Sequence, residues 1–266
     1  MKKTLFPSCL LLLLLVTLSS HEFWLEPEKF IYSRGEAINI RFHVGENFEG
    51  VNWKGNHSRI NSLTIYYGGV QDDLSAYIND DEGDSLQLSI YDECTALIAF
   101  NSTNSFLTLE PDKFNAYLQE DGLSNAIAYR KENNETDSTG REYYQRCAKV
   151  LLQIGSQKDN AFKTPTSLPL DIIPLSNPYV LKNNDSLKVK VLFNKQPLTD
   201  ALIKIWNRDK DSTSKKEIST DNNGEAVFAV STSGKWMVSA VKMVRLQNDP
   251  QAHWQSYWGS LTWGYK

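Results

Sequence analysis

The chain has 266 residues, with 28 basic side chains against 32 acidic ones and a formal net charge of −4. That balance excludes the electrostatic footprint of a nucleic-acid binder. At about 100–150 residues per domain, the length is that of two ordinary domains.

The first segment has a cationic start, Lys2 and Lys3, an apolar run through Leu10 to Val16, and the small residues Thr17, Ser19 and Ser20. This is the layout of a signal peptide over residues 1–20, too short for a spanning helix. Cleavage after Ser19 has the better small pair, Thr17 and Ser19, but leaves Ser20 first, whereas cleavage after Ser20, with Leu18 two residues before it, makes His21 the first residue. The expected product is exported, periplasmic or associated with the cell surface, with no membrane span after cleavage. Removing residues 1–20 takes out Lys2 and Lys3, so 26 basic side chains remain against 32 acidic ones. Cys94 and Cys147 also remain, and an oxidising compartment allows them either to pair or to stay as buried thiols.

Strict alternation from Ala37 to Val44 sets Ile38, Ile40, Phe42 and Val44 on one face, the mark of a half-buried strand. Short strand-like runs follow at Ser62 to Tyr67, Ser85 to Tyr91 and Thr95 to Phe100, separated by Gly, Asp and Asn. Behind Pro111 and Asp112 the residues Phe114, Tyr117 and Leu118 recur at helical spacing until Gly122. A second helical stretch runs from Ser124 to about Asn133, and a polar loop from Asn133 to Gly140 leads into Val150, Leu151, Leu152 and Ile154. Pro165, Pro169, Pro174 and Pro178 prevent a helix and cannot all sit in a central sheet. Beyond them Leu187 to Phe193, Ala201 to Trp206, Ala226 to Val230 and Trp236 to Val241 are short, alternating and turn-bounded, with a hairpin signal at Asp221 to Gly224. The expected fold is mainly β, two sandwich-like domains with a short helical insertion in the first. Residues 21–168 form the first domain, 169–180 a Pro-rich linker, and 181–266 the second domain.

Several segments together resemble a family of exported bacterial proteins, largely unassigned in function, that are labelled as periplasmic components of cobalt or nickel uptake. The residues that carry the resemblance are His21 to Leu25, Val44 to Gly50, Arg141 to Arg146 with Lys149, Ile173 to Tyr179, and Trp254 to Trp263. The resemblance implies a second domain like a transthyretin or carboxypeptidase-regulatory sandwich. It also implies a divalent transition metal as ligand, with a membrane transporter or outer-membrane receptor as partner.

A first-residue histidine offers its imidazole and an α-amine of pKa about 8, which a metal deprotonates near neutral pH. Nickel, cobalt, copper and zinc all accept such nitrogen donors. Candidate ligands are therefore His21, Glu22, His43 and His57, although Glu22 points away from its neighbour on an extended strand. His43 shares a face with Arg41, which favours a solvated strand histidine over a ligand there, and His253 reads as packing beside the tryptophans. The resulting function is a non-enzymatic metal-binding accessory of an envelope uptake system. One alternative is an interaction module that docks a protein or glycan through the second sandwich. Another is a copper oxidative enzyme, which needs a second histidine on the same ion. Trp254, Trp258 and Trp263 serve either as stacking rings or as core. Arg130, Arg141, Arg146 and Lys149 either receive an anion or pair with acids. The acidic run Asp80 to Asp84 lacks the ligand spacing of a calcium loop. No phosphate loop, Gly-x-Ser-x-Gly elbow, Cys-x-x-Cys pair or His-Glu-x-x-His helix is present.

Overall fold

A computed structural model describes residues 22–79 and 83–265. The leader, His21 and residues 80–82 of the acidic run lie outside the described residues. The first part of the chain builds β1 (Glu22–Pro27), β2 (Ile31–Tyr32), β3 (Ala37–Glu46), β4 (Glu49–Asn52), β5 (Ile60–Tyr67) and β6 (Val70–Asp73). Next come β7 (Ser85–Ser89), β8 (Cys94–Ser102), β9 (Ser105–Leu109), the helices α1 (Pro111–Glu120) and α2 (Ser124–Glu132), and β10 (Gly140–Ile154). The remainder is β11 (Leu170–Pro174), β12 (Ser186–Phe193), β13 (Gln196–Pro197), β14 (Leu202–Asp209), β15 (Ser212–Ser219), β16 (Glu225–Ala229), β17 (Lys235–Arg245) and β18 (Trp254–Gly264). The fold is mainly β and sandwich-like, with the two helices where the periodicity puts them.

Three sheets form the layers. The central one has ten strands in the order β15-β14-β17-β18-β10-β8-β5-β6, with β2 and β9 also paired to β10. At a rise of about 3.3 Å per residue, the 15 residues of β10 span about 50 Å, enough for two partners along each edge. One edge takes β18 and β2 in parallel, and the other takes β9 and β8 antiparallel. The parallel β10–β18 ladder, from Glu142–Trp254 to Val150–Thr262, joins the early and late segments of the chain in one sheet.

A small sheet of β1, β3, β4 and β7 covers one face of the central sheet, and a sheet of β11, β12, β13 and β16 covers the other. Side-chain parity shows this directly. Ala96, Ile98, Phe100, Ala148, Val150 and Leu152 pack with Phe23, Leu25, Ile40 and Phe42. Their neighbours Leu97, Ala99, Cys147 and Leu151 pack instead with Leu170, Ile172, Leu187 and Val189. Strands buried on both faces read as unbroken apolar runs rather than as alternation, and all nine residues of β8 are buried. The helices share the first face, where Phe114, Leu118 and Ala126 meet Val241, Met243 and Trp254.

One expectation changes, and one open alternative is decided. Residues 169–180, read as linker, contain β11, whose five residues are buried against β12 and the central sheet. The prolines are tolerated because β11 is an edge strand that ends at Pro174. Cys94 and Cys147 are free buried thiols, not a disulfide. Cys94 points to the β1 side of the central sheet and Cys147 to the β11 side, so the sheet itself separates them. Burial pushes both thiols up to about 12. The chain without its leader is therefore expected to release no thiol to Ellman's reagent in native buffer and two in guanidinium. Rapid native reaction would show that these strands open.

The motif Val44 to Gly50 is a tight hairpin. Asn47 and Phe48 carry φ of 53° and 58°, the two positive values of a type I′ turn, between Glu46 and Glu49. Phe48 adopts this unfavourable conformation because its ring is buried against Trp24, Trp206 and Met237. Gly50 is required for close approach, since a Cβ there would lie 2.5 Å from the Trp24 ring.

Candidate functional site

The strand that follows His21 lies in the middle of the molecule. Glu22, Phe23, Trp24 and Leu25 are all buried, and the strand lies across the central sheet. Ser260 Oγ donates to the Phe23 carbonyl at 2.7 Å and Thr262 Oγ1 to that of Leu25 at 3.0 Å. Phe23 and Leu25 enter the β3–β8 core, whereas Glu22, Trp24 and Glu26 face β14 and β17. Trp24 packs on Trp206 and Met237, and Lys235 binds Glu26 at 2.6 Å. The Glu22 side chain goes to the C-terminal strands.

There it meets a buried ion cluster. Lys204 lies 2.7 Å from Asp121, at the end of α1, and 3.6 Å from Glu22. Burial raises the Glu22 carboxyl to about 7, against the pull of Lys204. Lys204 itself is raised, because Asp121 and Glu22 outweigh the cost of its burial. The adjoining cavity, between Phe23, Leu202, Val241 and Trp258, holds about 10 Å³, room for about one water. The cluster thus ties β1, α1 and β14 together and has no space for a substrate. Beside it, Glu142 of β10 accepts from Ser256 Oγ at 3.3 Å and from Tyr117 Oη at 3.5 Å, while its Oε2 is buried without a partner. Burial raises Glu142 to about 8.

The remaining histidines are dispersed. His43 sits opposite Trp24 in the β1–β3 ladder, its ring edge-on to that indole at 5.6 Å. Burial lowers its pKa, so the imidazole is neutral at pH 7. His57 is exposed in a short turn, with Nε2 3.2 Å from the Asn79 carbonyl. His253 Nε2 accepts from Arg141 Nη2 at 2.6 Å, which occupies the lone pair a metal would need. Among the described residues no three His, Cys, Asp or Glu side chains gather closely enough to hold a metal ion. Glu22, His43 and His57 therefore do not make one site among themselves, and His21 lies outside the described residues.

The basic cluster also separates. Arg130 is buried and donates to the Thr136 and Ser138 carbonyls, and Lys149 pairs with Asp171 at 2.5 Å on the β11 side. Arg146 faces β1, with its guanidinium over the Phe23 ring at 5.0 Å. Of the C-terminal tryptophans, Trp254 and Trp263 are core residues and Trp258 stacks on Tyr117, so they present no platform for sugars. Asp84 of the acidic run is buried and accepts from Asn52 Nδ2 at 2.8 Å. No helix among the described residues is long and apolar enough to cross a membrane.

Sequence reasoning does not single out Lys204, Asp121 or Glu142. The available signal is Lys204 itself, a lone cation within the apolar run Leu202 to Trp206.

Comparison with known proteins gives a family described as a domain of unknown function (DUF4198), matched over residues 18–243. No curated protein matches the chain. Among solved structures, the chain is similar to a DUF4785 family protein from Legionella pneumophila at 9% identity and a TM-score of 0.25, over 80% of this chain and 50% of that one. The chain thus spans half the length of that protein. It is also similar to a chain of a cytokine receptor complex at 9% identity and a TM-score of 0.22, over 90% of this chain and 96% of that one.

Proposed function

The chain belongs to the DUF4198 family of unknown function, and from that premise we propose that it is an exported, non-enzymatic protein that captures a divalent transition metal through His21. Nickel or cobalt is the ligand we favour, in line with the resemblance noted from the sequence, and copper or zinc are the competitors. The partner is a membrane transporter or outer-membrane receptor of an envelope uptake system. The observation that supports this reading is the burial of Glu22 to Leu25 directly after the histidine. A chelate built on the α-amine and imidazole of a first residue needs a fixed point of attachment, because a frayed terminus loses its ordering entropy on every binding event. Glu22 serves as an anchor in this reading, since its carboxylate is turned to Lys204. His57, exposed on its turn, is the second donor to test.

Mass spectrometry of the secreted protein is expected to give His21 as first residue. Calorimetry with Ni²⁺, Co²⁺, Cu²⁺ and Zn²⁺ is expected to show one-site binding that His21→Ala weakens at least about a hundredfold, the loss of a bidentate chelate. Metal binding unchanged in H21A, or a mature chain beginning elsewhere, removes the proposal.

A further inference from the structure

Among the described residues Arg146 makes no ion pair with an acid. Its guanidinium lies over Phe23 at 5.0 Å and over Tyr144 at 5.3 Å, and its Nε is buried without an acceptor. A second arginine converges on the same tyrosine from another part of the chain. Tyr144 is paired with Ser105 in the β9–β10 ladder, and Arg59 Nη2 donates to Ser105 Oγ at 2.6 Å. Arg59 is in turn backed by the Trp53 ring at 5.2 Å. Neither arginine makes an ion pair with an Asp or Glu among the described residues. Both keep their charge, because a guanidinium is not deprotonated in a protein. Two like charges brought together in partial burial cost free energy that a counter-anion offsets.

We infer that Arg59, Arg146, Tyr144 and Ser105 form a binding site for the carboxylate of a small organic acid. All four are half-buried, so the site is reachable from solvent. Rings cover the guanidinium faces, and Arg59 already donates to Ser105 Oγ and, at 3.4 Å, to the Lys54 carbonyl, so the in-plane N–H groups that remain are the donors for a carboxylate. The phenol responds to the same field. Burial raises Tyr144, yet Arg146, the Ser105 hydrogen bond and Arg59 together hold it below the usual phenol range.

The inference does not depend on metal capture and is tested on metal-free protein. Calorimetry with succinate and with citrate is expected to show saturable binding, at concentrations up to about 10 mM, to the chain that begins at His21. Arg59→Gln and Arg146→Gln are each expected to weaken it by about tenfold or more, the loss of one charge-assisted pair, whereas the exposed neighbour variant Lys54→Gln leaves it unchanged. Arg59 lies in a surface turn, so R59Q keeps its native melting curve even if R146Q loosens the β1 contact. No saturable binding of either acid overturns the site, as does binding indifferent to R59Q and R146Q. Binding of inorganic phosphate in place of both acids overturns the carboxylate assignment.

Discussion

Replacing Lys204 by methionine is expected to destabilise the protein by about 3–5 kcal/mol at pH 8, because removing one partner of a buried ion cluster leaves the other charges uncompensated. Here two carboxylates are left. Asp121 loses a partner at 2.7 Å and Glu22 a cation at 3.6 Å, in a space that admits about one water. The penalty is expected to shrink at pH 5, where Glu22, raised to about 7, takes up a proton instead of remaining charged. Urea denaturation at the two pH values measures the difference. The triple variant K204M/E22Q/D121N separates charge from packing. It is expected to recover most of the loss, since a buried cluster replaced by neutral groups of similar volume is often no less stable than the original. A K204M penalty that is the same at pH 5 and pH 8, or one the triple variant fails to recover, would place the cost in packing.

The elements themselves were largely legible. Ala37–Glu46, the Pro111 helix and the Asp221–Gly224 turn are local, and local signals of periodicity, proline position and turn chemistry specify them. The turn forms, with Asp221 Oδ1 accepting the amides of Asn223 and Glu225, but it leads from β15 in the central sheet to β16 in the β11–β12 sheet and closes no hairpin. What the sequence did not disclose is how the pieces meet. Nothing in Glu142 to Val150 announces that this stretch pairs in parallel with Trp254 to Thr262, more than a hundred residues away. Nor does the opening Glu22 to Pro27 alternate in hydrophobicity, because this strand is enclosed on both sides and its polar members face partners instead of water. The ion cluster shares that origin. Glu22, Asp121 and Lys204 come from three separate regions, and each one alone looks like an ordinary surface charge. Arg146 could be seen as part of a basic run, yet strand parity decides that it joins Arg59 and Tyr144 rather than Lys149. Charge patterning along the chain cannot reveal a site whose members are brought together by sheet register.

Glu142 gives the second large effect, one that depends on pH in the opposite sense to an ordinary acid. Its carboxyl titrates near 8 in the folded protein, chiefly through burial, and near 4.5 in the unfolded chain. Between those values the native state holds a proton that the unfolded state has released, so stability falls as pH rises through this window. At pH 5 the native carboxyl is neutral, and Glu142→Gln is expected to change stability by no more than about 1 kcal/mol. At pH 9 the wild type bears a buried negative charge with one oxygen unpartnered. E142Q is then expected to be the more stable protein by about 3–5 kcal/mol, since every tenfold difference in proton affinity between the folded and unfolded states corresponds to about 1.4 kcal/mol. Glu22, raised to about 7, adds a slope of the same sign over a narrower pH window, which E142Q leaves in place. Urea midpoints of the two proteins from pH 5 to pH 9 should therefore diverge steadily, the wild type falling faster. Parallel curves would mean that Glu142 ionises in the folded protein as it does in water, and that Tyr117 and Ser256 leave its pocket open to solvent.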